Sequence, residues 1–128
     1  DASAFNQPPF TIPETGETFK QHKNPDGNFM EKDRERFENA VYDFLKMIRK
    51  NNPEAHIVWV YGMLGYDLTL PITNAMNCYQ TNTGDYNTAF LTLPNTTTDT
   101  VGAHMHPGVK SHERAARILI EYLQEIFF

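Results

Sequence analysis

Three histidines crowd one short stretch: His104 and His106 within Gly102-Ala-His-Met-His-Pro-Gly108, and His112 just beyond it. Imidazole titrates nearest neutrality among the side chains, so it can take up and return a proton within one reaction. His106 precedes a proline and an amphipathic helix, which presents it as a general base toward a hydroxyl nucleophile and then as general acid toward the leaving alcohol. The plainer alternative is a loop histidine that caps the helix. His104 is either a substrate contact or a solvated loop residue, and His112 a surface or capping residue of the helix. Zinc ligation by the three histidines with Asp99 is disfavoured, because a His-x-His pair puts both rings on one face only in a strand and this pair adjoins a proline. No metal site and no cofactor are expected.

A base needs a nucleophile, and the chain offers poor ones. Ser3 has neither flanking glycines nor a strand–turn–helix setting. Ser111 follows His106 by five positions and lies in a helix. Cys78, the lone cysteine, reads as a small buried hydrophobe. The sequence thus reads as the histidine-bearing portion of a hydrolase whose serine lies upstream of residue 1.

Composition narrows the alternatives. With 128 residues, 40% hydrophobic and 12% aromatic, the chain fits at most one globular domain. The net charge of −5, with no run of Lys or Arg longer than a pair, disfavours nucleic acid as a partner, since phosphate contact needs a basic face. No apolar run approaches the ~20 residues of a membrane span, so no membrane partner is expected. One cysteine cannot form an intrachain disulfide and does not report a compartment, so localisation stays open.

The elements that must position the histidine follow from periodicity. Residues 1–28 read as an irregular loop punctuated by Pro8, Pro9, Pro13, Gly16, Pro25 and Gly27. Residues 29–128 form the α/β part. Phe37, Val41, Phe44, Leu45 and Ile48 share one helical face over about residues 31–51, with Glu31, Asp33 and Glu35 near the start and Lys46, Arg49 and Lys50 near the end. Residues 55–63 read as a strand covered on both faces, residues 71–81 as a short helix, residues 86–93 as a second buried strand, and residues 109–127 as a final helix. Tyr66, in the loop after the first strand, is the aromatic best placed to meet a sugar ring, because ligands of open α/β sheets bind beyond the carboxyl ends of strands. Two or three strands make a narrow sheet, so a partner segment is expected to complete it.

The block around His106-Pro107, the helix after it, and the strand Ile57-Val-Trp-Val-Tyr-Gly62-Met63 preceded by Asn52-Pro53 resemble the C-terminal half of SGNH (GDSL-type) hydrolases. The likeness is strongest to acetyl esterases of the second carbohydrate-esterase family and covers roughly residues 29–126. It implies a three-layer α/β/α, flavodoxin-like fold with a parallel sheet, present here only as its C-terminal part. It also implies His106 as the base, a serine in an upstream Gly-Asp-Ser element, and a Gly-x-Asn-Asp element whose last residue would be Asp1, beside the oxyanion hole. The implied partners are the N-terminal segment of the same domain and a small ester or acetylated sugar. The aspartate that often precedes the family's histidine by two or three residues is replaced here by His104 and Ala103. A backbone carbonyl or Asp99 would then orient the ring, unless the site is degenerate. The implied activity is serine esterase; the alternative is a non-catalytic carbohydrate-binding or structural α/β module.

Overall fold

The computed structural model describes residues 10–19, 26 and 28–128. Asp1 and Ser3 lie outside them. Helix α1 spans Glu31–Asn51, strand β3 Ile57–Gly62, helix α2 Thr69–Thr83, strand β4 Thr88–Leu93 and helix α3 Val109–Phe127; before them come two short strands, β1 (Phe10–Thr11) and β2 (Thr18–Phe19). The irregular reading of residues 1–28 is corrected where β1 and β2 pair antiparallel. Pro13 and Gly16, read as breakers, are turn residues of this hairpin: Gly16 takes φ 70 and its N–H donates to the Ile12 carbonyl at 2.8 Å, a conformation glycine adopts without steric cost.

β3 and β4 pair in parallel, with Ile57 opposite Thr88 and Gly62 opposite Leu93. α1 and α2 share one face of this sheet. There Val41, Leu45, Ile57, Ala75, Met76 and Tyr79 form one buried cluster, and Leu68 with Ile72 a second; Phe37, Trp59 and Phe90 pack against both. α3 lies on the opposite face: it contacts β4, and the His56 ring meets Tyr122 and Phe127. The architecture is α/β, with helices packed on a parallel sheet.

α1 and α3 occupy the spans that their periodicity predicts. α2 runs two residues further at each end, with Pro71 in its first turn and Gly84 in the left-handed conformation closing its end. The strands are less covered than their apolar runs predict. Ile57 and Thr88 are buried, but Val60 is 38% exposed. The outer edge of β3 has no strand neighbour among the described residues; Phe44 and Met47 of α1 are exposed, Phe44 edge-on to Trp59. Cys78 is exposed rather than buried. Its position on α2 faces away from the Ala75–Met76–Tyr79 stripe, and Asn82 Nδ2 donates to its sulfur at 3.4 Å.

A polar bolt joins the amino ends of the strands. Arg49 grips Asp85 in bidentate fashion, Nε to Oδ2 at 2.7 Å and Nη2 to Oδ1 at 3.1 Å. The same guanidinium donates to the carbonyls of Asn52, Pro53, Ala55 and Asn87. Tyr79 donates its hydroxyl to Asp85 Oδ2 at 2.5 Å. Burial pushes the Asp85 carboxyl up, but the hydrogen bonds from Arg49 and Tyr79 outweigh it and hold the group below the usual carboxylate range. Burial, reinforced by Asp85, pushes the Tyr79 phenol up.

Arg49→Lys keeps the charge but cannot make the forked contact. It should cost about 2–4 kcal/mol of unfolding free energy at neutral pH, read by urea denaturation. Because the Asp85 pKa is lower folded than unfolded, its contribution is complete above the unfolded value and is lost as pH falls through the folded one. The gap between wild type and Asp85→Asn should therefore narrow on titration from pH 7 toward pH 3. An unchanged gap would remove the ion pair from the stability of the fold.

Candidate functional site

The carboxyl ends of β3 and β4 open into two loops that are laced together. Gly62 ends β3 at φ 139, pressed so close to the backbone of Leu93 that a Cβ would overlap the Leu93 carbonyl oxygen. The Met63 carbonyl accepts from Thr96 N–H at 2.8 Å, and Asn95 Oδ1 accepts from Gly65 N–H at 2.9 Å. Tyr66 donates its hydroxyl to the Leu93 carbonyl at 2.8 Å and accepts from Asn95 N–H at 3.1 Å. Its ring stays exposed while its polar tip clasps the two loops. Between the loops lies a cleft of about 630 Å³, lined by Met63, Leu64, Gly65, Asn95, Thr96, Thr97, Thr98, Val101 and Met105.

His106 stands next to this cleft, adjoining Met105. Its loop is pinched at the base by an isolated bridge between Val101 and Pro107. Gly102 N–H donates to the His106 carbonyl at 2.7 Å, and Gly108 N–H to that of Thr100 at 3.0 Å. Gly102 and Gly108 cross so tightly that a Cβ on Gly102 would lie 3.0 Å from the Gly108 Cα, and one on Gly108 2.8 Å from the Thr100 oxygen. Inside the pinch, His104 (φ 53) and Met105 (φ 64) are consecutive left-handed residues, and Met63 (φ 72) on the opposite rim is the third such non-glycine residue among those described. Left-handed backbone costs a non-glycine residue of order 1–3 kcal/mol, and such strain collects at functional sites.

The His106 side chain is exposed, and among the described residues nothing hydrogen-bonds to its ring. Its backbone is extended, φ −80 and ψ 162, and no side chain caps α3, whose N-cap is Gly108. The capping alternative is therefore not what the loop does. Asp99 does not reach the ring either. Its carboxylate accepts from Thr97 Oγ1 at 2.5 Å and from Arg114 Nη2 at 3.0 Å, and the Thr97 bond, ahead of the Arg114 charge, keeps it below the usual carboxylate range. His104 and His112 are exposed, and no group of three or more potential metal ligands occurs among the described residues.

Two solved structures are similar to this chain. The chain superposes on an acetyl xylan esterase (Est2A) from the rumen bacterium Butyrivibrio proteoclasticus with a TM-score of 0.90 and 48% identity, over 98% of this chain and 34% of that one. The similarity is thus to carbohydrate esterases. An active-site mutant of a family two carbohydrate esterase from Clostridium thermocellum matches with a TM-score of 0.64 and 26% identity, over 72% of this chain and 30% of that one. The chain thus spans about a third of the length of these carbohydrate esterases. No protein-family model and no curated protein matches it.

The structure brings Tyr66 and the His106 loop to the same end of the sheet, while Asp1 lies outside the described residues. The sequence reading missed the cleft-lining Met63, Leu64 and Met105, whose rim conformations carry no residue signature. It also missed the paired glycines at 102 and 108, whose signal was their placement on either side of the histidines. Gly62→Ala should lower unfolding free energy by roughly 2–4 kcal/mol, since alanine fits neither the φ nor the space. Gly16→Ala, with open space around it, should cost less than Gly62→Ala. Equal thermal denaturation midpoints for the two variants would contradict the close approach of the loops.

Proposed function

We propose that this segment supplies the general base of a serine esterase acting on acetyl or other small esters of carbohydrate. The serine would come from upstream polypeptide of the same domain. That serine's Oγ attacks the ester carbonyl carbon as His106 takes its proton. The protonated imidazole then hands that proton to the leaving sugar oxygen as the C–O bond breaks. Water, deprotonated by the same ring, releases the acid and restores the serine. The observation that carries this reading is the presentation of His106: an exposed, uncommitted imidazole at the carboxyl end of a parallel sheet, in a chain 48% identical to an acetyl xylan esterase.

Among the described residues no serine is free to serve as the nucleophile. Ser111, the one serine among the described residues, is buried, and its hydroxyl is engaged by Thr96 and the Thr100 carbonyl. With Asp99 held by Thr97 and Arg114, a backbone carbonyl or an upstream group would orient the ring, which makes a Ser–His dyad the simpler arrangement. In the rival reading, a carbohydrate-binding module, the exposed ring of Tyr66 would meet the sugar while its hydroxyl is held by Leu93 and Asn95.

The sheet indicates where the upstream polypeptide would dock. α1 and α2 lie on the same face, so the right-handed crossover rule places the strand that feeds α1 beyond the open edge of β3. Phe44, Met47 and Val60 then become interior.

In the full-length protein, His106→Ala should lower kcat on p-nitrophenyl acetate by roughly 10³–10⁶-fold; equal turnover would remove His106 from the mechanism. The isolated 128-residue chain should show negligible turnover, and added upstream polypeptide should restore it. Turnover by the purified chain alone, abolished by a serine-directed inhibitor, would refute the split nucleophile.

A further inference from the structure

The loop that carries His106 contains two adjacent left-handed non-glycine residues, yet the side chains of His104, Met105 and His106 are all exposed. Packing of those side chains does not hold the conformation. The hold must come from the base, since strained backbone persists only where its surroundings over-determine it.

Two hydroxyls are buried at that base: that of Thr100 bonds within its own turn to Thr97, and that of Ser111 reaches between segments. Ser111, in the first turn of α3, is 4% exposed, and Thr100 is 2% exposed. Ser111 Oγ donates to the Thr100 carbonyl at 3.1 Å, the same oxygen that takes the Gly108 N–H. Its single proton being spent there, it accepts from Thr96 Oγ1 at 3.0 Å. One side chain therefore joins the loop leaving β4, the entry to the histidine loop and the helix at its exit. A buried hydroxyl is tolerated only when bonded. A small apolar residue would fill the space but could not tie these three segments.

We propose that Ser111 is a positioning residue for the His106 base: by clamping the Thr100 carbonyl it fixes both ends of the loop and so the reach of the imidazole. This rests on the esterase reading above. Ser111 touches neither substrate nor ring. Removing its hydroxyl releases one of two donors from the Thr100 oxygen, and the loop gains conformations in which the imidazole is displaced from the serine. Misplacement by about 1 Å can cost on the order of 100-fold in rate, and it falls on kcat, with KM unchanged because no substrate contact is lost.

The test uses the full-length esterase, p-nitrophenyl acetate, and the variants Ser111→Ala, Ser111→Thr and His106→Ala, with kcat expressed per folded molecule from near-ultraviolet circular dichroism. Ser111→Ala should lose about 10- to 100-fold in kcat with KM within about twofold, and Ser111→Thr, which keeps a hydroxyl, should recover most of it. If Ser111→Ala does not fold, Ser111→Cys, a weaker donor of similar shape, should fall between wild type and His106→Ala. Wild-type turnover by His106→Ala would sink the esterase reading itself. An inactive His106→Ala beside a Ser111→Ala (or, where that does not fold, a Ser111→Cys) of wild-type kcat would overturn the role of Ser111 alone. So would a Ser111→Thr no better than Ser111→Ala.

Discussion

Parallel strands have no hairpin to set their register, so another contact must align their starting points. Here that contact is the guanidinium of Arg49. It grips Asp85 at the end of α2 and the carbonyls on both sides of the sheet entrance, Ala55 before β3 and Asn87 before β4. A planar group with five donors in fixed directions can satisfy all of these at once, whereas an ammonium cannot. The Arg49 and Asp85 side chains are only 18% and 17% exposed, so the pair works in a medium less screened than water, and Tyr79 supplies a further donor to the carboxylate. With Ile57 and Thr88 thus held level, six residues of regular pairing bring Gly62 and Leu93 out together at the far end.

That far end is built on the opposite principle. Where the amino end is bolted by charge, the carboxyl end is laced by backbone contacts that tolerate no side chain. Gly62 lies against Leu93, and Gly102 crosses Gly108. These approaches draw the loops close enough for Asn95, Thr96 and Tyr66 to link them. Of the strained residues, Met63 and Met105 line the resulting cleft and His104 precedes Met105. Stability resides mainly in the buried clusters and the Arg49 bolt, while local strain is concentrated beside the exposed imidazole of His106. Such separation lets a site hold an unfavourable backbone without unravelling its scaffold.

The sequence made the regular elements legible because each announces itself locally. The i, i+4, i+7 spacing from Phe37 to Ile48 marked α1, and the continuous β-branched run marked β3. The bolt was not legible: Arg49 and Asp85 are separated by 36 positions, and Arg49 reads by itself as one more cation at a helix end. Cys78 and both parallel strands read as more buried than they are for a related reason. Apolar composition tells how much surface a strand offers for cover, not whether the cover is present. His106 stood out by type and neighbours. Ser111 did not, because a serine in a first helical turn looks like an ordinary helix residue until its two partners are seen.

The uncovered side of the sheet ties stability to chemistry. The two buried clusters meet only through Phe37, Trp59 and Phe90, none of which is fully buried. Trp59 leans on Phe44, which is itself exposed beside the open edge of β3. In the proposed assembly, a strand added at that edge would bury Phe44, Met47 and Val60, each large apolar side chain contributing about 1.5–3 kcal/mol when fully removed from water. The same docking would carry the serine toward His106, because neighbouring parallel strands end at the same side of a sheet and their following loops converge there. Covering the edge and completing the site would then be one event. In that proposed assembly the imidazole would be held by Gly102, Gly108 and Ser111 before the hydroxyl arrives, so docking would not need to reorganise it.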